Sequence, residues 1–155
     1  MATKIVRALA VVTLAATALI GVHGAPASAA APVCSTGAVL TQTWPSLTLK
    51  FLLPSAGTNF NCVLYEGIYN SPAVRILQAH LNDCYHQNIP EDGDFGPATK
   101  RAMSNAQTWE REARGRDIRT DGIWGGESLF NLHLVAFNFG NVCIRIDSTV
   151  GGHPR

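Results

Sequence analysis

The chain has 155 residues, with 12 Lys and Arg against 11 Asp and Glu and a formal charge of +1. That balance excludes the basic surface a nucleic-acid partner requires, and the length fits one domain plus a leader. Lys4 and Arg7 precede an almost unbroken apolar run from Ala8 to Val22, and Ala27-Ser28-Ala29 supplies the small residues of a cleavage site. Residues 1–29 are therefore expected to be a secretory signal peptide. A membrane span is disfavoured because the run is short and ends in a cleavage-type sequence. Pro32 and Val33 argue against a lipid anchor on Cys34. Cleavage after Ala29 leaves 30–155 and removes Lys4 and Arg7, so the acidic groups then outnumber the basic ones by one. No later apolar run is long enough for a bilayer, so no membrane partner is expected after signal removal.

All four cysteines, Cys34, Cys62, Cys84 and Cys143, follow the leader. An even count in an exported chain favours two disulfides, and four cysteines allow three pairings. The expected pairing is Cys34 with Cys62 and Cys84 with Cys143. A zinc site is disfavoured by the lack of any Cys-x-x-Cys pair.

Residues 30–70 read as an N-terminal arm. Its first part, 30–45, is rich in Ala, Pro, Ser and Thr and reads as an extended lead-in. Leu47, Leu49, Phe51 and Leu53 alternate with other residues at a period of two, a strand with one buried face. Pro54–Asn61 is loop by composition, and Cys62–Tyr65 is a candidate second short strand. Ser71 caps a first helix that opens at Pro72 and ends near Tyr85; Val74, Leu77 and Leu81 line its apolar face. A second helix runs from Pro97 to about Arg114, with Ala98, Ala102, Ala106, Trp109 and Ala113 at helical steps. Glu110 with Arg114 forms an ordered pair on its wet side, and Gly115 is its expected stop. A third helix is expected from Gly126 to Phe139, apolar over much of its circumference and therefore central. Val142, Ile144 and Ile146 then alternate as a strand that pairs with Leu47–Leu53. The domain is expected to span 71–147, with 148–155 as a frayed tail.

One stretch occurs twice. Asp92–Thr99 reads Asp-Gly-Asp-Phe-Gly-Pro-Ala-Thr, and Asp121–Ser128 reads Asp-Gly-Ile-Trp-Gly-Gly-Glu-Ser. Each copy reads as a tight turn feeding a helix: Asp bonds local backbone N–H groups and Gly accepts positive φ. Phe95 and Trp124 place one large aromatic at the same point of each turn. A turn-helix unit used twice suggests one small domain with internal pseudo-symmetry.

With Val74, Leu77, Gln78 and Leu81 as an opening helix, then Asp92, Gly93, Phe95, Gly96 and Thr99, then Ala102 and Gln107, and finally Asp121, Gly122, Gly125 and Ser128, the stretch Ala73–Leu132 resembles the peptidoglycan-binding-like module of bacterial cell-wall enzymes. The resemblance covers under half of the chain that follows the leader. It departs from the family pattern at Ala106, at Gly126 and in the long Arg111–Arg119 linker. It implies a three-helix core, so that with the two strands read above the expected fold is mainly α, with a small flanking β element from the arm and the C-terminal strand. It also implies a secreted, wall-associated binding module with peptidoglycan, glycan or stem peptide, as partner.

The candidate ligand-binding residues are Asp92, Phe95, Gln107, Asp121 and Trp124, docking a muropeptide beside the two turns; turn capping and core packing are the alternative roles for each. His80, Asp83 and His86 form no zinc-binding pattern such as His-Glu-x-x-His, and the Glu91, Asp92 and Asp94 carboxylates read as turn chemistry rather than a glycosidase pair. No Gly-x-Ser-x-Gly nucleophile occurs. No catalytic residue, metal or cofactor is therefore assigned. A small cell-wall hydrolase, or an exported protein that binds or inhibits another exported protein through the arm, are the competing readings.

Overall fold

The computed structural model describes residues 30–146. The signal-peptide assignment over 1–29 and the tail lie outside these residues. The elements in chain order are β1 (Thr36–Trp44), β2 (Leu47–Ser55), α1 (Pro72–Tyr85), α2 (Pro97–Arg114), α3 (Gly126–Asn131), β3 (Leu134–Ala136) and β4 (Val142–Ile144). The four strands form one antiparallel sheet in the order β1-β2-β3-β4. The fold is thus mixed α/β, which corrects the expectation of a mainly α protein with a three-helix core. No helix among the described residues is long and apolar enough to cross a membrane.

The first correction lies in the arm. Residues 36–44 are not a lead-in but a full strand, joined to β2 by Pro45 and Ser46. They pair in register from Trp44 with Leu47 to Thr36 with Ser55. The signal was present in weak form: Leu40, Gln42 and Trp44 are half-buried while Thr41 and Thr43 between them are exposed. A polar Gln on the inner face masked the period of two. In β2 the alternation is clean, and Leu49, Phe51 and Leu53 enter the core. Cys62–Tyr65 forms no strand; Val63 and Leu64 make single bridges to Val33 and Trp124.

The second correction concerns the expected third helix. It ends at Asn131, and Leu132 is already extended at φ −82°, ψ 152°. Leu134, Val135 and Ala136 are all buried, as a strand. A strand covered on both faces reads as an unbroken apolar run, which periodicity alone does not separate from a buried helix. Here the free edge of β2 decides. Phe51 pairs with Ala136, the Phe137 amide donates to Lys50 O at 3.1 Å, and the Asn138 side chain bonds Lys50 N at 2.6 Å and Thr48 O at 2.9 Å. The strand after it therefore pairs with β3, not with β2. Phe130, Phe137 and Phe139, expected as helix core, are 53%, 45% and 54% exposed.

Helices α1 and α2 follow the expected bounds. The Ser71 hydroxyl accepts from Val74 N, and His86 and Gly115 close the two helices in the left-handed region. Disulfides join Cys34 to Cys62, both buried, and Cys84 to Cys143, which ties the last turn of α1 to edge strand β4.

His80 pins α1 to the sheet. It is 5% exposed. Its Nε2 lies 2.8 Å from Leu52 O in β2, and its Nδ1 accepts from Val135 N in β3 at 3.1 Å. An accepting Nδ1 and a donating Nε2 define one neutral tautomer. Burial holds the imidazole below its ordinary value, against smaller opposing effects of the Leu52 carbonyl and Asp83. In the unfolded chain the ring takes up its proton near the usual 6.5. The unfolded state therefore binds more protons below that value, and stability is complete above it and falls as pH drops through it. The denaturation midpoint is expected to fall between about pH 7.5 and about pH 5. His80→Gln, which presents an amide donor and a carbonyl that do not titrate, should shrink that fall; an equal fall in both proteins would show that His80 does not carry it.

Candidate functional site: the doubled turn and the clefts along α1

Each turn is built around one glutamine. The Gln78 side-chain oxygen accepts from Gly93 N at 2.9 Å, and its amide nitrogen faces Asp92 Oδ1 at 2.9 Å, Asp94 O at 3.1 Å and Thr99 Oγ1 at 3.1 Å. Gln107 repeats this: its oxygen accepts from Gly122 N at 2.8 Å, and its nitrogen faces Asp121 Oδ1 at 3.2 Å, Ile123 O at 3.0 Å and Ser128 Oγ at 3.3 Å. Thr99 and Ser128 donate to Asp94 O and Ile123 O, and Asp92 and Asp121 accept from the amides of Asp94 and Ile123. Every partner is displaced along the chain by the offset that separates Asp92 from Asp121. Helix α2 serves both halves: Thr99 in its first turn closes the first set, and Gln107 further along opens the second.

The glycines are required on two grounds. Gly93 and Gly122 have φ of 86° and 72°. A Cβ at Gly93 would lie 2.9 Å from Ser71 O, and one at Gly122 would lie 2.9 Å from Lys100 O. Past the glycines, the Phe95 backbone bonds Ile68 and Gly67, and the Trp124 backbone exchanges two 3.0 Å bonds with Leu64. Both turns are thereby stitched to 64–68, the end of the arm.

This construction locates the five candidate ligand residues. Phe95 and Trp124 are 0% exposed and belong to the core, and Gln107 is 1% exposed. Asp121 is half-buried and Asp92 is exposed. The Asp94 amide, followed by Gln78, holds the Asp92 carboxyl below the usual carboxylate range. The structure thus brings Gln107, Asp121 and Trp124 together at one turn and Asp92 and Phe95 at the other. Of the five, Asp92 and Asp121 keep surface, and Gln107 and Asp121 edge a cleft of 120 Å³ that Ala31, Asn61 and Val63 of the arm wall in. That volume is below the ~300 Å³ of ordinary ligand sites.

A larger space opens on the other side of α1. A cleft of 570 Å³ has an apolar floor of Leu52, Ile76, Ala79, Val135 and Phe137, with Arg75, Asp83 and Glu91 at its rim and Asn70–Pro72 at one end. Arg75 donates to Asp92 O at 3.2 Å, so the rim touches the first turn. Asp83 also walls a second cleft of 360 Å³, lined by His86, Trp109, Arg114, His133 and the Cys84–Cys143 bridge. Sequence reasoning missed most of these residues because β3 brings them together, and β3 was read as helix. Glu110, expected on the wet side of α2, is 0% exposed, and its Oε1 takes bonds from Tyr85 and His133. His80, Asp83 and His86 do not converge; no group of three metal-ligating side chains occurs among the described residues.

Replacing either glutamine should be costly, since it strands the buried N–H of Gly93 or Gly122 and removes the bonds that the amide nitrogen makes across the turn. Gln78→Leu and Gln107→Leu are each expected to lower unfolding free energy by ~2–4 kcal/mol. Gly93→Ala and Gly122→Ala are expected to cost at least ~1–3 kcal/mol through strained φ and backbone overlap. Urea denaturation of the four variants checks this; losses under ~0.5 kcal/mol, the level of ordinary surface changes, would contradict it.

No curated protein and no solved structure matches the chain. Residues 70–128, which hold α1, both turns and α2, match the family model described as "Putative peptidoglycan binding domain".

Proposed function

We propose that the chain is an exported protein that holds peptidoglycan non-covalently and does not cleave it. We further propose that the polymer's stem peptide lies in the 570 Å³ cleft beside α1. The observation that carries this reading is the coincidence of the family match with that cleft: one wall is α1 of the matched segment, and the rim reaches the first turn through Arg75 and Asp92. Export is supported by the leader sequence and by two disulfides, which persist in oxidising surroundings. The absence of cleavage is supported by the nature of the family, a binding domain.

A stem peptide carries alanine methyls, carboxylates and amines. The floor of Leu52, Ile76, Ala79, Val135 and Phe137 suits the methyls, and each apolar group moved out of water contributes through the area it buries. Arg75 offers a partner for a carboxylate, while Asp83 and Glu91 offer partners for an amine. These rim charges are exposed, so each pair contributes only ~0.2–1 kcal/mol and sets orientation more than affinity. His80 fixes the floor, since its ring joins Leu52 to Val135 behind the cleft. In this reading Asp92 and Asp121 act from the outer faces of the turns, while Phe95, Gln107 and Trp124 keep those turns rigid.

The mature protein should sediment with purified cell-wall sacculi at low salt. A double variant, Phe137→Ser with Arg75→Glu, should reduce the retained fraction roughly fivefold or more, as expected when an anchor and its rim charge are both lost. A wall suspension should keep its turbidity in its presence. Lack of retention at low salt would refute binding, clearing of the suspension would refute the non-catalytic part, and full retention of the double variant would move the site elsewhere.

A further inference from the structure

The repeat supplies its own control for Glu110. Gln78 and Gln107 are equivalent, and three residues after each come Leu81 and Glu110. Leu81 is 1% exposed and lies in the core; Glu110 is 0% exposed at the matching place. A buried carboxylate is several kcal/mol worse than a leucine unless strongly bonded, so packing alone does not account for the exchange. What Glu110 does is fix two other groups. Its Oε1 accepts from the Tyr85 hydroxyl at 2.7 Å and lies 2.5 Å from His133 Nδ1. The Tyr85 oxygen in turn accepts from His133 N at 2.6 Å. Burial and the Glu110 charge push the Tyr85 hydroxyl far above its ordinary value, so it remains a donor.

With Nδ1 held by Glu110, the His133 ring has one orientation, and Nε2 lies at its opposite edge. The side chain keeps 20% exposure in the wall of the 360 Å³ cleft. Trp109 meets both Tyr85 and His133 edge-to-face, with centroids 6.0 and 6.1 Å apart, and the Arg114 guanidinium sits 4.8 Å from the Trp109 ring centroid. An aromatic ring, a fixed imidazole, a guanidinium and the Asp83 carboxylate thus surround one space. Together they offer a stacking surface with both donors and acceptors, the chemistry that recognises a hydroxylated, uncharged ring. It differs in kind from the neighbouring apolar cleft, and Asp83 is the wall between the two.

We propose that the Trp109–His133 cleft is a second subsite that takes an N-acylated sugar unit, so that one polymer segment lies across both clefts with its peptide on the apolar side of Asp83 and its sugar on the other. This rests on the reading that the chain binds peptidoglycan. Trp109 contacts the ring carbons, Arg114 donates to the acyl oxygen, and His133 Nε2 and Asp83 each accept from a hydroxyl. Glu110 and Tyr85 are positioning residues.

The test uses the mature protein and two separate probes, a peptide-free β-1,4-linked N-acetylglucosamine trimer and a free stem pentapeptide, each followed by calorimetry and by amide chemical shifts. The trimer should shift the Trp109 indole N–H. Trp109→Ala should weaken the trimer about tenfold or more and leave the pentapeptide unchanged. His133→Asn places an amide nitrogen where Nδ1 was and removes Nε2. It should keep the wild-type melting temperature and still lose trimer affinity. Trimer binding that survives both substitutions, or no trimer binding beside a bound pentapeptide, would overturn the sugar subsite while sparing the peptide cleft. Trimer binding without pentapeptide binding would support the subsite and refute the peptide cleft. Binding of neither probe would overturn both.

Discussion

A glutamine side chain offers one carbonyl oxygen and two N–H bonds, and in this protein the full set at Gln78 and again at Gln107 is used inside a single turn. Each turn would otherwise bury the peptide N–H of Gly93 or Gly122 without a partner, at a penalty of ~1–3 kcal/mol. The helix that carries the glutamine and the turn it satisfies are therefore formed together or not at all. The glycines follow from the same constraint, because the oxygen of the amide reaches the peptide N–H of Gly93 or Gly122 only where the backbone has positive φ and no Cβ.

The sheet then completes what the turns begin. The backbones of Phe95 and Trp124 are hydrogen-bonded to residues 64–68, so the chain that precedes α1 is held against both turns. The Cys34–Cys62 bridge and the β1–β2 hairpin lie directly before that junction. Leu49, Phe51 and Leu53 of β2 share one core with Leu77, Leu81, Phe95 and Trp124. The residues before position 70 are thus part of the same hydrophobic unit as the segment that matches the peptidoglycan-binding family model, and an open cleft lies between α1 and the sheet.

Much of this was legible from residue order. The caps at Ser71 and Gly115, the bounds of α1 and α2, and the doubled turn all rest on local chemistry, which short stretches of sequence state openly. The errors share one cause. Leu134–Ala136 is apolar on both sides, so its period is undefined, and the edge that it covers belongs to β2, at the far end of the described chain. Gln42 and Glu110 were similarly obscured: each is a polar residue at an inward position, and its surroundings are supplied by tertiary structure. The clefts were illegible for the same reason, since Arg75, Asp83, Phe137 and His133 come together only once β3 is in place. The matched spacing of the two turns pointed instead to Phe95 and Trp124, whose rings fill the interior.

Because α2 finishes one turn and starts the next, its length is a shared dimension rather than a local one. Thr99 and Gln107 are separated on it by a little over two helical turns, so their side chains leave the helix about 80° apart. One inserted or deleted residue between them would swing one side chain by about 100° relative to the other, detaching a corner at each end with a single lesion. The protein can lengthen its outer loops far more readily than this rod, which acts as the gauge that keeps its two halves in phase.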